Sequence, residues 1–486
     1  MNQKHHPEPV STPTKTVNLS LPIMNHPIQT LTLLTSILLA TAGARGGQFQ
    51  DLADGFGTTL TLAGVHHATT SNPDGSAINF WAPASEGAVA ATVGLSNPHM
   101  AAADAYGNIY IADKSGQAVL QITTNGLIHT FAGTHAGGFN GDGPAPATSL
   151  QISNVNGLFV FPNGTVYLLD PGNHRIRRVG IDGVMTTIVN DPEPEWYPSG
   201  RALWVSPDEQ LIYYTHEFRP VPPSIIANGA ALKRWTATNG IETVCSRDVG
   251  FRNPANIAVN PEDGLLYVCD RAEEDLTKIA TGLFRIDGPD QVTRMTGNIT
   301  QPLAADGQLA VNSYIDGPRG IAFRPDGSYF LCAHKDGNVW FVDTAGILHK
   351  FLRGSGRKDG FSLADGQHPP LTASDYFAQP RAVTLAPNGN LLVVCNDSGY
   401  VFQVNSVSAS ASLDPLRLTA QGTNGVRLSW AGVFGRGYRV ERAFSLSTSS
   451  WQPVAAVGGN PAGYTEFIDA EPATHPQCYF RVLPSL

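Results

Sequence analysis

Residues 127–157 read LIHTFAGTHAGGFNGDGPAPATSLQISNVNG, and residues 158–189 continue as LFVFPNGTVYLLDPGNHRIRRVGIDGVMTTIV. Runs of strand length, rich in β-branched and aromatic residues, follow one another here without the spacing that marks an amphipathic helix. Turn-forming segments separate the runs: a Gly/Asp-rich link, a Pro-Asn-Gly tip and the segment Pro-Gly-Asn-His. The stretch therefore predicts a unit of four β-strands joined by tight turns.

The same unit recurs along most of the chain. In most copies a Pro presets φ for a turn and a Gly or Asn supplies the left-handed position after it, so each such turn predicts a hairpin tip between two apolar runs. The six turns begin at Asp104, Phe161, Ser206, Asn260, Arg324 and Ala386. Repetition of one supersecondary unit indicates that neighbouring copies bury their apolar faces against each other.

These repeats resemble the NHL-repeat family, most clearly in residues 172–179 (GNHRIRRV) and in the strand that ends in Ala-Gly before the link. The resemblance implies an all-β fold, a six-bladed β-propeller over residues 45–405. The sixth copy ends at Tyr400–Val404 without an outer strand, whereas Thr58–Gly64 (TTLTLAG) is similar to the outer strand His129–Gly133 (HTFAG). We therefore expect the strand at 58–64 to complete the sixth blade and close the ring, which removes open sheet edges.

Composition agrees with many short strands and turns, since the 486 residues include 50 Gly and 35 Pro and only 15% are charged. The formal net charge of −9 provides no basic face, so no nucleic-acid partner is predicted. Cys269, Cys332 and Cys395 fall at nearly equivalent points of three copies and are expected to be small buried side chains. The sequence has no Cys-x-x-Cys motif for zinc or haem.

The N-terminal residues 1–44 read as an export signal. Ile28–Ala40 is an apolar core, and Ala42-Gly43-Ala44 fits a small-residue cleavage site. A membrane span needs about 20 apolar residues, and this run is shorter and interrupted by Thr and Ser. The mature chain is therefore expected to be secreted or periplasmic and to carry no transmembrane segment, with either Met1 or Met24 as the true start.

The C-terminal residues 413–486 show a different, sparse all-β pattern. Residues 426–430 (VRLSW), 438–441 (YRVE) and 478–482 (CYFRV) are its clearest strands. They resemble a fibronectin type III-like module of secreted bacterial proteins, which implies a small β-sandwich. Residues 406–412 (SVSASAS) are predicted to be a linker, because small polar side chains cannot build a core.

Candidate binding residues are expected where the inner strands of a propeller begin and the second strands end, because both lie at one mouth of the central channel. Counting back from each turn places His99, Asn156, Arg201, Ala255, Arg319 and Arg381 there, with Asn256 replacing Ala255 if that copy is shifted by one. The second strands end near Asp113, Asp170, His216, Asp270, His334 and Asn396. This set predicts a ring of polar groups around a shallow central pocket.

Three arginines in this set, Arg201, Arg319 and Arg381, suit a carboxylate, sulfate or sugar-acid ligand, because a guanidinium offers paired donors in a fixed plane. The alternative is structural: the Pro-Arg-Gly of NHL repeats, present here as residues 318–320, can pair its Arg with an Asp of the next blade. The aspartates at the strand ends are expected to cap the turns that follow them.

Two families of six-bladed enzymes offer a comparison. Gluconolactonase-like propellers hold a divalent cation with Glu, Asn and Asp; Asn156 and Asn256 are suitably placed here, but the Glu is missing and the arginines would repel a cation. Peptidyl-hydroxyglycine amidating lyases carry zinc on three His, and His99, His216 and His334 lack the surrounding motifs. No cofactor is therefore predicted, and a divalent cation stays open without a motif that supports it.

The sequence as a whole favours an exported binding protein whose ligand is an extracellular or periplasmic glycan, peptide or protein. The alternative is a lyase or lactone hydrolase that acts on an anionic sugar derivative in the central pocket. In that case His99, His216 or His334 would be the general base, and the arginines would hold an oxyanion or a carboxylate.

Overall fold

The computed structural model describes residues 49–65, 72, 74, 78–192, 202–216, 230–271, 281–354, 365–370, 379–406, 417–420, 426–431, 437–443, 451–458, 464–469 and 479–484. Within these ranges the chain forms antiparallel β-sheets, with one short α-helix at residues 49–54 and six single-turn 3₁₀ helices. The predicted all-β class is confirmed. The predicted signal peptide at 1–44 and all but the first residue of the predicted linker lie outside the described residues.

Six sheets form the six blades of a β-propeller. Blade 1 comprises β2 (Pro98–Ala103), β3 (Ile109–Asp113), β4 (Ala118–Ile122) and β5 (Ile128–Gly133); blade 2 comprises β7 (Gly157–Val160), β8 (Val166–Asp170), β9 (Arg175–Val179) and β10 (Val184–Asn190), with the two-residue β6 (Ala145–Pro146) at its edge; blade 3 comprises β11 (Leu203–Val205), β12 (Leu211–His216), β13 (Ala231–Thr236) and β14 (Gly240–Cys245). Blade 4 comprises β15 (Pro254–Val259), β16 (Leu266–Asp270), β17 (Gly282–Gly288) and β18 (Gln291–Arg294); blade 5 comprises β19 (Pro318–Phe323), β20 (Tyr329–Ala333), β21 (Val339–Val342) and β22 (Leu348–Leu352); blade 6 comprises β23 (Ala382–Leu385), β24 (Leu391–Cys395), β25 (Tyr400–Ser406) and, as its outer strand, β1 (Phe56–Gly64).

The hairpin tips lie where the repeated turns predicted them. Gly164 and Gly327 follow the Pro-Asn and Pro-Asp pairs of blades 2 and 5 with φ of 86° and 81°, values in the left-handed region that favours glycine. The tip of blade 1 lacks Pro and is held by Asp104 instead, whose Oδ1 accepts the backbone N–H bonds of Tyr106 and Asn108 at 2.9 Å each. Local turn chemistry thus sets the boundaries of the inner two strands.

The N-terminal strand completes the ring. β1 contains the predicted strand at 58–64 and pairs antiparallel with β25, so that Thr59 lies opposite Val404 and Thr61 opposite Phe402. The innermost strands β2, β7, β11, β15, β19 and β23 neighbour one another in that order, and β23 returns to β2. Thr384 Oγ1 donates to the Ala101 carbonyl at 2.7 Å and joins blade 6 to blade 1. The six sheets therefore form a closed ring.

The apolar core is divided among the interfaces between blades, with one cluster in each of the six. The described cysteines belong to these clusters: Cys245, Cys269, Cys332 and Cys395 are free thiols and fully buried. Burial raises the pKa of the Cys332 thiol to about 12, so it is an inert apolar group. The predicted structural role of the three repeat cysteines is confirmed, and Cys478 lies outside the described residues.

The C-terminal part forms two three-stranded antiparallel sheets. Their strands are β26 (Arg417–Ala420), β27 (Val426–Ala431), β28 (Gly437–Ala443), β29 (Gln452–Gly458), β30 (Tyr464–Asp469) and β31 (Tyr479–Pro484), ordered β26-β27-β30 and β29-β28-β31. Leu428 and Phe467 of the first sheet share one apolar cluster with Tyr438 and Val440 of the second. The two sheets therefore enclose a small core between them, as a β-sandwich does.

No helix among the described residues is long and apolar enough to cross a membrane.

Candidate functional site

In five of the six blades the innermost strand begins with a backbone irregularity at the mouth, the face of the ring at which the second strands end. In blade 1 Pro98 pairs with Asp113 and Met100 with Ala112, which leaves His99 as an extra residue. In blade 5 Pro318 and Gly320 pair with consecutive residues of β20, so Arg319 is extra in the same way. Bulges of this kind re-aim a side chain, and both extra residues are ones that the sequence predicted for the mouth.

Blades 2, 4 and 6 have related irregularities. In blade 2, Gly157 is the residue paired with Leu169, but the backbone N–H of Asn156 also donates to the Leu169 carbonyl, at 3.4 Å. In blade 6, Ala382 is the residue paired with Val394, but the N–H of Arg381 donates to the Val394 carbonyl at 2.7 Å. In blade 4 the register shifts between Pro254 and Ile257, which places both Ala255 and Asn256 within the irregularity. Arg201 lies outside the described residues.

Most of the described side chains that the sequence predicted for the mouth are buried. The exposed fractions are 4% for His99, 1% for Asn156, 0% for His216, 4% for Asn256, 4% for Arg319 and 2% for His334. Arg381 differs, because it is only half-buried. These six side chains therefore have little contact with solvent, because the innermost strands lie close together.

Five of the mouth residues form a connected set across blades 5, 6 and 1, which we call the mouth network: His334, Asp397, Asn396, Asn97 and His99. The ring nitrogen Nε2 of His334 lies 3.6 Å from Asp397 Oδ2. Asn396 Nδ2 donates to Asp397 Oδ1 at 3.1 Å and to Asn97 Oδ1 at 2.8 Å. The Asn97 carbonyl lies 2.9 Å from His99 Nδ1. Residues from three consecutive blades thus meet through side-chain contacts at the mouth.

The two described histidines of this network present their nitrogens differently. In His334, Nδ1 lies 3.2 Å from the Pro380 carbonyl while Nε2 faces the Asp397 carboxylate, so both nitrogens face acceptors of the protein. In His99, the contact with the Asn97 carbonyl places the ring proton on Nδ1 and makes Nε2 the acceptor nitrogen of the neutral ring. His99 therefore keeps Nε2 as an acceptor, which is what a general base requires.

The aspartates at the ends of the second strands hold the links that lead into their own blades. Asp113 accepts the backbone N–H of Ser96 at 2.9 Å, and Asp170 accepts that of Ser153 at 2.7 Å. Asp270 accepts two backbone N–H bonds, from residues 252 and 253, at 2.7 and 3.0 Å. The sequence predicted that these aspartates cap the turns that follow the second strands. In the structure they accept hydrogen bonds from the links that precede the inner strands.

Blades 1 and 2 differ in the charge beside this aspartate. In blade 2, Arg177 Nε donates to Asp170 Oδ2 at 2.8 Å, and both side chains are fully buried. In blade 1, Leu120 occupies the register position of Arg177. Asp113 is fully buried, its Oδ1 has no hydrogen-bond partner, and burial raises its pKa to about 7. Blade 1 therefore contains a buried carboxyl group without the cation that blade 2 supplies.

Within the described part of the chain, no group of three or more His, Cys, Asp or Glu side chains is arranged to hold a metal ion. His99, His216 and His334 do not form such a group with one another. What the described mouth residues offer is a set of hydrogen-bond donors and acceptors fixed by neighbouring blades, together with the guanidiniums of Arg319 and Arg381.

Asn97 and Asp397 are mouth residues that the sequence reasoning missed. Asn97 precedes the inner strand of blade 1 with φ of 70°, a left-handed conformation that Asn adopts more readily than most residues. Its position directly before Pro98 was a usable signal. Asp397 follows Asn396 in the turn after β24, one residue beyond the predicted strand end, and a wider window around each strand end would have included it.

No protein-family model matches the chain, and no curated protein matches it. Among solved structures, a structural-genomics protein of unknown function from Bacteroides thetaiotaomicron is similar at 15% identity and a TM-score of 0.50, over 72% of this chain and 75% of that one. An auxiliary nutrient binding protein from Bacteroides ovatus is similar at 14% identity and a TM-score of 0.49, over 72% of this chain and 76% of that one. A gluconolactonase from Xanthomonas campestris has 14% identity and a TM-score of 0.43, over 64% of this chain and 86% of that one. The first similarity supports the propeller fold, which by itself assigns no activity.

Proposed function

We propose that this protein is an exported, NHL-type binding propeller whose ligand, an extracellular or periplasmic glycan, peptide or protein, binds at the mouth. The observation that carries the proposal is the mouth network, which fixes polar groups of three blades in one arrangement. Preorganised polar groups lose little conformational entropy on binding, which favours recognition. His334 has both nitrogens facing protein acceptors, which suits a positioning role better than proton transfer.

The arginines indicate that the proposed ligand carries a negative charge. Arg381 follows Pro380, whose carbonyl faces His334, so the backbone of this half-buried residue lies beside the mouth network. Arg319 is the extra residue of the bulge in blade 5, which neighbours blade 6. Guanidinium groups bind carboxylates, sulfates and phosphates through paired, charge-assisted hydrogen bonds. An anionic group on the ligand is therefore part of the proposal.

The experiment is a thermal-shift and calorimetric screen of uronic acids, sulfated sugars and acidic peptides with the mature protein. An anionic ligand should raise the melting temperature of the wild type, and Arg381→Ala should weaken its binding by about 1.5–3 kcal/mol, the range for hydrogen bonds to charged groups. The matched control is Arg324→Ala, at the opposite end of β19, where the guanidinium lies 3.9 Å from Asp326. Equal effects of the two substitutions, or no binding of any anion, would contradict the proposal.

The alternative function is a lyase or lactone hydrolase that acts on an anionic sugar derivative. The tautomer of His99 favours it, because Nε2 is the acceptor nitrogen in an imidazole whose Nδ1 is fixed by a carbonyl. Turnover of a lactone or a uronate-containing oligosaccharide that disappears in His99→Gln, while the variant keeps the melting temperature of the wild type, would replace the binding function with this one.

Export and the C-terminal module belong to the same proposal. The sequence of residues 1–44 supports secretion into the periplasm or the medium. The C-terminal strand order places the first, second and fifth strands in one sheet and the third, fourth and sixth in the other, an arrangement compatible with an immunoglobulin-like or fibronectin type III-like sandwich. Such a module would hold the propeller at its place of action, with residues 406–412 as the linker.

A further inference from the structure

The turn after β24 contains hydrogen-bond acceptors that the protein leaves unused. Asn396 is 2% exposed, and its Oδ1 has no hydrogen-bond partner. The adjacent Asp397 Oδ2 is buried as an atom and also lacks a hydrogen bond, since the 3.6 Å separation from His334 Nε2 is too long for one. Buried polar atoms in proteins are nearly always hydrogen-bonded, so two neighbouring exceptions require an explanation.

The orientation of the Asn396 amide follows from its partners. An ionised carboxylate only accepts hydrogen bonds, so the atom of Asn396 that lies 3.1 Å from Asp397 Oδ1 must be the nitrogen. The carbonyl oxygen of the amide therefore lies on the other side, away from Asp397 Oδ1. Asn396 and Asp397 thus supply, from adjacent residues, two acceptor atoms without a hydrogen bond, and the Asp397 side chain keeps 20% of its surface exposed.

We infer that Asn396 and Asp397 bind the hydroxyl groups of a sugar, and that the ligand at the mouth is a uronic acid or another acidic glycan. Neighbouring hydroxyl groups on a sugar ring provide two donors from adjacent atoms, which match two acceptors from adjacent residues. The acid group of the same sugar pairs with Arg381, which is half-buried. The inference rests on the proposed binding function and deepens it by naming the substrate class.

An acidic peptide is the competing ligand, and the observations favour it less. A peptide could place one ammonium group beside Asp397, but that group is attracted to the charged carboxylate more than to the neutral amide oxygen of Asn396, whereas two sugar hydroxyl groups supply one donor to each. A carboxylate on the peptide would satisfy Arg381 equally well. The donors of the ligand, and not its charge, therefore distinguish the two classes.

The experiment measures binding of three probes to the mature wild-type protein by calorimetry: a galacturonate oligosaccharide, the same oligosaccharide with its hydroxyl groups methylated, and an acidic peptide of equal charge. We expect the unmodified oligosaccharide to bind at least about tenfold more tightly than the methylated one, because methylation keeps the carboxylates and removes the hydroxyl donors. Equal binding of the two oligosaccharides would overturn the inference, and this comparison needs no variant of the protein.

A pair of variants provides the second arm. Asp397→Asn removes the charged acceptor with little change of shape, and Asp326→Asn makes the same change at the hairpin tip of blade 5. We expect about a tenfold loss of affinity for the unmodified oligosaccharide in the first variant and none in the second. Tight binding of the peptide that depends on Arg381 and not on Asp397 would overturn the sugar subsite and leave the binding function intact. Cleavage of the oligosaccharide would overturn the non-enzymatic function and leave the subsite intact.

Discussion

Replacing Asp113 with Asn should stabilise the propeller above pH 7 and should not stabilise it at pH 4. Burial raises the pKa of Asp113 from 3.8 to about 7, and no cation occupies the position that Arg177 has in blade 2. Between these two pH values the unfolded chain has lost the proton while the folded protein retains it, so the folded protein loses stability as pH rises from about 4 to 7. Above pH 7 the loss is complete and no longer changes.

The magnitude follows from the pKa difference. One pKa unit corresponds to about 1.4 kcal/mol, so ionised Asp113 lowers the free energy of unfolding by on the order of 4 kcal/mol at pH 8. An Asn at position 113 keeps an oxygen that can accept the Ser96 N–H bond, which is 2.9 Å long in the wild type. Its NH₂ group, however, replaces Oδ1 of Asp113, a buried atom without a hydrogen-bond partner. An unsatisfied buried donor costs roughly 1–3 kcal/mol. The expected net gain at pH 8 is therefore roughly 1–3 kcal/mol.

The assay is urea denaturation followed by tryptophan fluorescence between pH 4 and 8. The control is Asp170→Asn, which makes the same chemical change at the equivalent position of blade 2 but removes the partner of a fully buried Arg177. Breaking that pair should destabilise the protein by about 3–5 kcal/mol. The two substitutions should therefore have opposite signs at pH 8. Destabilisation of similar size by both would refute the idea that Asp113 is an uncompensated carboxyl group.

Three further predictions concern the architecture. Deletion of residues 56–64 should expose the edge of β25 and cost several kcal/mol of buried contacts, seen as aggregation or as loss of cooperative unfolding; an unchanged melting curve would contradict closure by β1. Lys233→Met should lower the free energy of unfolding in urea by about 3–5 kcal/mol, because the ammonium lies 2.9 Å from the buried Asp191 carboxylate; a change below about 1 kcal/mol would show that the pair is dispensable. Limited proteolysis should cut first within residues 406–412 and release a C-terminal module that unfolds cooperatively by itself, whereas a first cut inside a blade would argue against separate cores.

The blades were predictable because their signals are local. A turn such as Phe161-Pro-Asn-Gly specifies its own backbone conformation, and Gly164 adopts the left-handed φ that it predicts. The apolar runs on each side are short and β-branched, so strand type and boundaries follow from the same few residues. The similarity of residues 58–64 to the outer strand of another copy extended this logic to the closing strand.

The mouth network was not predictable in the same way. The hydrogen bond between Asn97 and Asn396 exists only because the ring brings blade 6 beside blade 1, and no local pattern records that contact. The burial of these residues was not predictable for a related reason: the sequence places His99 and Arg319 at the mouth but does not show how closely the innermost strands approach. The missing cation beside Asp113 was predictable from the sequence, because an alignment of blade 1 with blade 2 places Leu120 at the position equivalent to Arg177.

The pairing of β1 with β25 has a consequence for the order of folding. β1 and β25 lie at opposite ends of the propeller sequence, so contacts such as the one between Thr59 and Val404 have a large sequence separation and a correspondingly high entropic cost of loop closure. Blades 1–5 are each made of consecutive strands and can form as the chain emerges, whereas blade 6 must wait for its last strand and then recapture the first. During that interval β1 and β25 each present an unpaired edge, and the nascent chain is most prone to intermolecular strand exchange. Closure of the ring is thus the step at which a chaperone would have the largest effect on yield.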